Sequence, residues 1–182
     1  MDLTEKTVSK NYVYRGKILS LRCDDALRPD GRPCKREIVE HSGGACVLYA
    51  EEGKILFVRQ YRYAYGEVLT ELPAGKVEEG EDPAVTAARE LSEETGYTAE
   101  QIRLLYVIYP TPGYTDEKLY IYGAEGLSAG ASHPDEGEEV TAFWLPFEEA
   151  LAMVQRGEIR DGKTVIALLS HALAMREKDE KK

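Results

Sequence analysis

The sequence predicts a layered domain of the α/β or α+β class, with mixed β-strands covered by helices. Three observations carry this. Most of the chain reads as short strands bounded by turn residues. One strongly delimited helix, opening at Asp82-Pro83 and closing at Gly96, stands among them. The chain then ends in helical sequence from Phe147 onward. Strands on both sides of one internal helix, with terminal helices to follow, imply layers of sheet and helix around a shared core. A length of 182 residues suits one such domain with a small appendage.

Taken in order, the first forty residues read as extended segments. YVYRGKILSLRCDDALRP alternates about Gly16, Pro29-Asp30-Gly31-Arg32-Pro33 is a turn, and CKREIVEHSG is a further strand. Such a small antiparallel sheet cannot bury its own apolar face, so it must pack on the main domain or on a second subunit. Residues 1–40 are therefore read as an N-terminal β subdomain, 41–176 as the main domain, and 177–182 as a charged tail. ACVLYAEEGKILFVRQYRY gives two strands joined by a hairpin at Glu51-Glu52-Gly53, and EVLTELPAG a strand that leads into the internal helix. IRLLYVIYP and EKLYIYGAEGL are two more strands, separated by TPGYTD. The polar stretch SAGASHPDEGEE precedes a last strand, VTAFWLP, on which Trp144 reads as a core residue. FEEALAMVQRG and DGKTVIALLSHALAMREKDEKK are the terminal helices.

A formal net charge of −10 argues against nonspecific binding to nucleic acid or anionic membrane. Three cysteines without CxxC spacing, no signal-peptide core in MDLTEKTVSK and no run of roughly twenty apolar residues point to a cytoplasmic protein. His41, His133 and His171 show no catalytic or metal spacing.

The chemistry is concentrated in GKVEEGEDPAVTAARELSEETGY, Gly75 to Tyr97. Asp82 can cap the helix, Pro83 suits its first position and Gly96 its stop. At about 100° per residue, Glu90, Glu93 and Glu94 share one arc, while Ala84, Val85, Ala88 and Leu91 lie mainly opposite, on the face expected to be buried. Crowded carboxylates repel unless a cation lies among them, and an all-oxygen ligand set suits Mg²⁺ or Mn²⁺.

This segment resembles the Nudix box, Gly-x5-Glu-x7-Arg-Glu-U-x-Glu-Glu-x-Gly-U with U a bulky apolar residue, at every fixed position. Gly75, Glu81, Arg89, Glu90, Glu93, Glu94 and Gly96 are in place. Leu91 fills the first U and Tyr97, where an aliphatic residue is more usual, the second. The resemblance covers about Gly43 to Ala174 and implies the family's α/β/α sandwich, with Mg²⁺-dependent hydrolysis of a diphosphate linked to another group. By resemblance, Glu90 and Glu94 with the carbonyl of Ala74 are the main metal ligands. Glu93 serves a further ion or a bound water, Arg89 orients a box carboxylate, Glu81 braces the loop or assists the metal, and Gly75 lets the backbone turn so that a carbonyl faces the ion.

TPGYTDE, with Pro112 sixteen residues beyond Gly96, resembles the ADP-ribose pyrophosphatase subfamily, as do VRQYRYAYGEVLTELPAG and GEIRDGKTVIALL. The resemblance makes Pro112, Gly113, Arg59 and Arg62 substrate-binding candidates; an arginine fork suits phosphate oxygens. Tyr12, Tyr14, Tyr61, Tyr63 and Tyr114 are candidates to stack on adenine. It also places the general base in HPDEGEEV, at Glu136, with Glu138 a further metal ligand and Glu93 the rival base. It implies a homodimer sharing the N-terminal region. Hydrolysis of ADP-ribose to AMP and ribose 5-phosphate is the implied reaction. Another nucleoside-diphosphate sugar, such as GDP-mannose, is the nearest alternative, and a non-catalytic Nudix-fold binding module a more distant one.

Overall fold

A computed structural model of the protein describes residues 2–133, 137 and 139–180. The chain forms two compact units, one of residues 1–43 with 109–118 and one of 44–108 with 119–182.

In the first unit β1 (Lys6–Ser9), β2 (Tyr12–Arg15), β3 (Ser20–Leu27) and β4 (Pro33–Glu40) form one antiparallel sheet. β4 pairs with β3 along its whole length, from Ser20↔Glu40 to Leu27↔Pro33. β1 and β2 each pair with one end of β3. Asn11 secures the break between them. Its Nδ2 donates to Ser9 Oγ, Asp25 Oδ2 and the carbonyl of Cys23, and its own carbonyl accepts from Cys23 N–H at 2.8 Å. The turn between β3 and β4 places Gly31 at φ 81°, where a side chain is disfavoured. Tyr109–Lys118 belongs to this unit: Val39 N–H donates to the carbonyl of Tyr114 at 2.7 Å, and Asp116 N–H returns a bond to Val39 at 3.2 Å.

The second unit holds β5 (Gly44–Leu48), β6 (Ala50–Glu51), β7 (Lys54–Arg62), β8 (Glu67–Glu71), β9 (Ala74–Lys76), α1 (Pro83–Thr95), β10 (Tyr97–Ile108), β11 (Leu119–Ala129), β12 (Val140–Pro146), α2 (Phe147–Gln155) and α3 (Gly162–Asp179). One sheet runs β10-β11-β5-β9, mixed because β11 and β5 are parallel. The other centres on β7, paired with β6, β8 and β12, all antiparallel. Glu52 and Gly53 both have positive φ, 49° and 72°, the geometry of a primed two-residue hairpin between β6 and β7.

Every residue of β5 is buried, and period-two alternation divides them between two cores. Ala45 and Val47 meet Leu56, Ala87, Leu91 and Tyr122 on the α1 side. Cys46 and Leu48 meet Phe57, Ile121, Phe147, Ala150 and Leu168 on the side of α2 and α3. Sheets covered by helices on both faces make an α/β/α sandwich, and the run GACVL is apolar because neither face meets water. Burial pushes the Cys46 thiol up to about 12. Trp144 packs edge-to-face on Tyr49 and Tyr97 as a half-buried core residue.

Candidate active site

α1 forms where its local chemistry dictates. Asp82 accepts a hydrogen bond from Ala84 N–H at 2.8 Å, Pro83 opens the helix, and Gly96, at φ 75°, closes it by donating to Ser92. The burial pattern differs from the apolar-face expectation. Val85 and Ala88 are exposed, while Thr86, Ala87, Glu90, Leu91, Glu94 and Thr95 are buried. The helix turns two of its glutamates inward, Glu90 at 9 % exposure and Glu94 at 4 %. Polar contacts on that face explain the rotation, because Glu94 Oε2 accepts the Ala74 N–H at 2.9 Å and Glu90 lies against Gly75.

Gly75 serves the site by close approach. It sits within β9, outside the positive-φ glycines, and a Cβ built on it would stand 1.8 Å from Glu90 Oε1. Only a residue without Cβ admits the Glu90 carboxylate beside this strand. The expected turn is therefore replaced by a cradle for a side chain.

Arg89 sets a guanidinium among the carboxylates, in the orienting role the resemblance implies. Its Nη1 donates to Glu90 Oε1 at 2.8 Å and Glu93 Oε2 at 2.9 Å, and its Nε and Nη2 reach Glu81 at 3.2 Å. These acids hold the guanidinium pKa well above its usual range, the hydrogen bond to Glu81 most of all. Glu81 in turn accepts from Thr86 Oγ1 at 2.7 Å and Glu78 N–H at 3.3 Å. Its hydrogen bonds with Arg89 and Thr86 bring its pKa down to about 2. Glu81 thus braces the loop before α1.

A second charged group lies on β7, β8 and the start of α3. Glu71, 2 % exposed, takes two bonds from Arg62, at 2.7 and 2.8 Å, and one from Lys163. Lys163 also pairs with Asp161 at 3.0 Å. Burial raises the Glu71 pKa, but Arg62 and Lys163 outweigh it and set it at about 2. Lys163 and Asp161 were not singled out from sequence. Arg59, exposed on β7, stacks its guanidinium 4.4 Å from the Phe143 ring centroid. Pro112 and Gly113 form an exposed turn in the first unit, where Thr115 N–H bonds the Thr111 carbonyl at 3.3 Å. Tyr61 and Tyr63 are exposed on and just beyond β7, and Tyr12, Tyr14 and Tyr114 are exposed in the first unit. Glu136 and Glu138 lie outside the described residues.

Among the described residues no three His, Cys, Asp or Glu side chains converge closely enough to hold a metal ion. The donors that line β9 nonetheless fit a hard divalent cation: two buried carboxylates, Glu90 and Glu94, beside the Ala74–Gly75 backbone, with oxygen ligands throughout.

Fold and site together define a hydrolase of the Nudix class, and the chain belongs to the Nudix family. The NUDIX domain model matches residues 39–168, and the nucleoside diphosphate sugar hydrolase N-terminal domain matches residues 5–39. An ADP-ribose pyrophosphatase of Bacillus subtilis is 41 % identical over 169 residues, 91 % of each chain. A methanol dehydrogenase activator of Bacillus methanolicus is 44 % identical, covering 90 % of each chain. A GDP-mannose pyrophosphatase of Shigella flexneri is 34 % identical over 91 % of each chain. A solved ADP compounds hydrolase superposes with a TM-score of 0.85 over 98 % of each chain at 18 % identity, a likeness of fold. Members of the family use divalent metal ions. Among the described residues no helix is long and apolar enough to cross a membrane.

The Tyr97 departure from the box has a packing account. The ring is half-buried against Trp144, whose Nε1 donates to the Tyr97 hydroxyl at 3.4 Å, so a phenol fills the site an aliphatic side chain usually takes.

Proposed function

We propose that this protein hydrolyses the diphosphate bond of ADP-ribose to AMP and ribose 5-phosphate, with Mg²⁺ as the ion and Mn²⁺ as a substitute. The observation that carries the reading is the buried Glu90 and Glu94 pair held against the Ala74–Gly75 strand. Its particular substrate rests on the 41 % identity to a pyrophosphatase named for ADP-ribose. Glu90, Glu94 and the Ala74 carbonyl would hold the ion. When bound, such an ion neutralises charge on diphosphate oxygens and makes a water easier to deprotonate. Arg89 holds Glu90 and Glu93 in place through its hydrogen bonds. Glu136 takes the proton of the attacking water and Glu138 adds a metal ligand; Glu93 serves a further ion or a bound water and is the rival candidate for the base. Arg59 and Arg62 face the diphosphate or ribose, and Pro112 and Gly113 are the further residues this reading assigns to substrate binding. Glu71 presets the Arg62 fork at the cost of two of its donors.

Residues 1–40 act as a dimerisation subdomain and 41–176 as the hydrolase domain. Val8, Val13, Tyr14 and Ile18, each more than half exposed, give the N-terminal sheet an apolar surface for a second copy of this chain. Removing residues 1–40 should leave a monomer with poor turnover; a fully active monomer in sedimentation and rate assays would refute the dimer. A cytoplasmic location accords with three free cysteines.

The test of the reaction is product analysis with Mg²⁺ on ADP-ribose, GDP-mannose, NADH, diadenosine polyphosphates and 8-oxo-dGTP. A preference for ADP-ribose yielding AMP, abolished by chelator, is expected. A preference for GDP-mannose would keep the metal chemistry and overturn the substrate. With ADP-ribose, Glu136→Gln should lower kcat by about a hundredfold, within the usual range for a lost general base, and leave metal affinity unchanged.

A further inference from the structure

Between β8 and β9 the chain crosses from one sheet to the other through Leu72 and Pro73, and that crossing delivers Ala74 and Gly75 to the site. One backbone polar group from each of three successive residues of the crossing is satisfied from a different element. Leu72 N–H donates to Thr164 Oγ1 of α3 at 2.9 Å. The Pro73 carbonyl accepts from Val47 N–H of β5 at 3.0 Å. Ala74 N–H donates to Glu94 of α1 at 2.9 Å. A buried N–H must find a partner, and this segment has left its ladder at the Val58↔Glu71 pair.

Thr164 is wholly buried and its hydroxyl is used in both directions. It donates to Asp161 Oδ2 at 2.6 Å while accepting from Leu72. The Asp161 cap therefore fixes the direction of the hydroxyl proton and leaves a lone pair for the crossing. One residue earlier Lys163 reaches Glu71, the residue before Leu72, and pairs with Asp161 as well. The first turn of α3 thus grips two consecutive residues of the segment, one by charge and one by a directed hydrogen bond.

We propose that Thr164 and Lys163 are positioning residues for the hydrolytic site. They set the placement of the Ala74 carbonyl relative to Glu90 and Glu94 without touching substrate. This rests on the reading of those three groups as the metal-holding set. A helix stop or a charged surface pair would not require a buried hydroxyl aimed at a sheet-to-sheet crossing.

The experiment is Mn²⁺ binding to the full-length protein, followed by electron paramagnetic resonance of the free ion without substrate, alongside thermal unfolding. Thr164→Val keeps the shape and removes the acceptor; it should weaken Mn²⁺ binding about tenfold, the lower end of what loss of an outer partner costs a metal site. Thr164→Ser, which restores the hydroxyl, should bind within about twofold of the parent. Lys163→Met should shift binding in the same direction as Thr164→Val and serves if that variant does not fold. Ile159→Val, a truncation in the buried core, should lower the unfolding temperature and leave Mn²⁺ binding unchanged. Parental Mn²⁺ affinity in both Thr164→Val and Lys163→Met overturns the proposal, as does an equal loss in Ile159→Val. If Glu94→Gln binds Mn²⁺ as the parent does, the metal reading itself fails and takes the inference with it.

Discussion

Two carboxylate clusters lie on either side of the β8–β9 crossing, and they balance their charge differently. Around Glu71, two acids meet two bases: Glu71 and Asp161 against Arg62 and Lys163. Along α1, Arg89 hydrogen-bonds Glu81, Glu90 and Glu93, with Glu94 one turn on from Glu90. The named groups of the first cluster sum to zero, and those of the second to an excess of negative charge. An acid-rich, all-oxygen group beside buried backbone suits a hard divalent cation. The balanced cluster suits a rigid support. On the proposed reading similar residue types do different work, and the ratio of acids to bases separates them.

The largest expected effect falls on the acid-rich side. Glu94→Gln removes one of the two buried carboxylates and the anionic acceptor of Ala74 N–H. Its kcat/KM on ADP-ribose should fall on the order of a thousandfold, since metal stabilisation of the transition state is worth several kcal/mol. A fall of less than tenfold in steady-state assays would place the ion elsewhere. Gly75→Ala should be milder and more telling. The new Cβ claims the position of the Glu90 carboxylate, which must swing away, so activity should drop about tenfold while unfolding shifts little. Full activity in that variant would show that Glu90 does not need its place beside β9.

The smallest effect concerns the balanced cluster and appears at low pH. The Glu71 pKa lies at about 2 in the fold against an ordinary 4.5, so its contribution is complete above 4.5 and fades as pH falls toward 2. At neutral pH that is worth about 3 kcal/mol at most. Urea unfolding should show the parent more stable than Glu71→Gln at pH 7, with the gap closing between pH 4.5 and 2. A constant gap would mean that shape, not charge, is what Glu71 supplies.

Much of this was legible in the sequence because it is local. Asp82, Pro83 and Gly96 delimit α1 by their own backbone preferences, and Glu52-Gly53 makes its hairpin by φ alone. The layering of sheet and helix followed from element order, and the Nudix resemblance sharpened it to an α/β/α sandwich. The facing of α1 did not, because Val85 and Ala88 look like core until Gly75 offers Glu90 a place inside. Nor did the Glu71–Lys163 pair, whose partners are 92 residues apart and meet only through tertiary packing. Position β1 was missed among the extended segments, since its pairing to β3 depends on register across the sheet. The turn at Pro112 was legible as a turn, but its grouping with the N-terminal sheet arises from the bridge of Val39 to Thr115.

The central claim is that the acid-rich cluster, and not the balanced one, holds the divalent ion. The most direct test is calorimetric titration of Mg²⁺ into the parent, Glu94→Gln and Glu71→Gln proteins, each checked for folding. The account predicts that binding is lost in Glu94→Gln and retained, weakened by about tenfold at most, in Glu71→Gln. Retained binding in Glu94→Gln with loss in Glu71→Gln would contradict it.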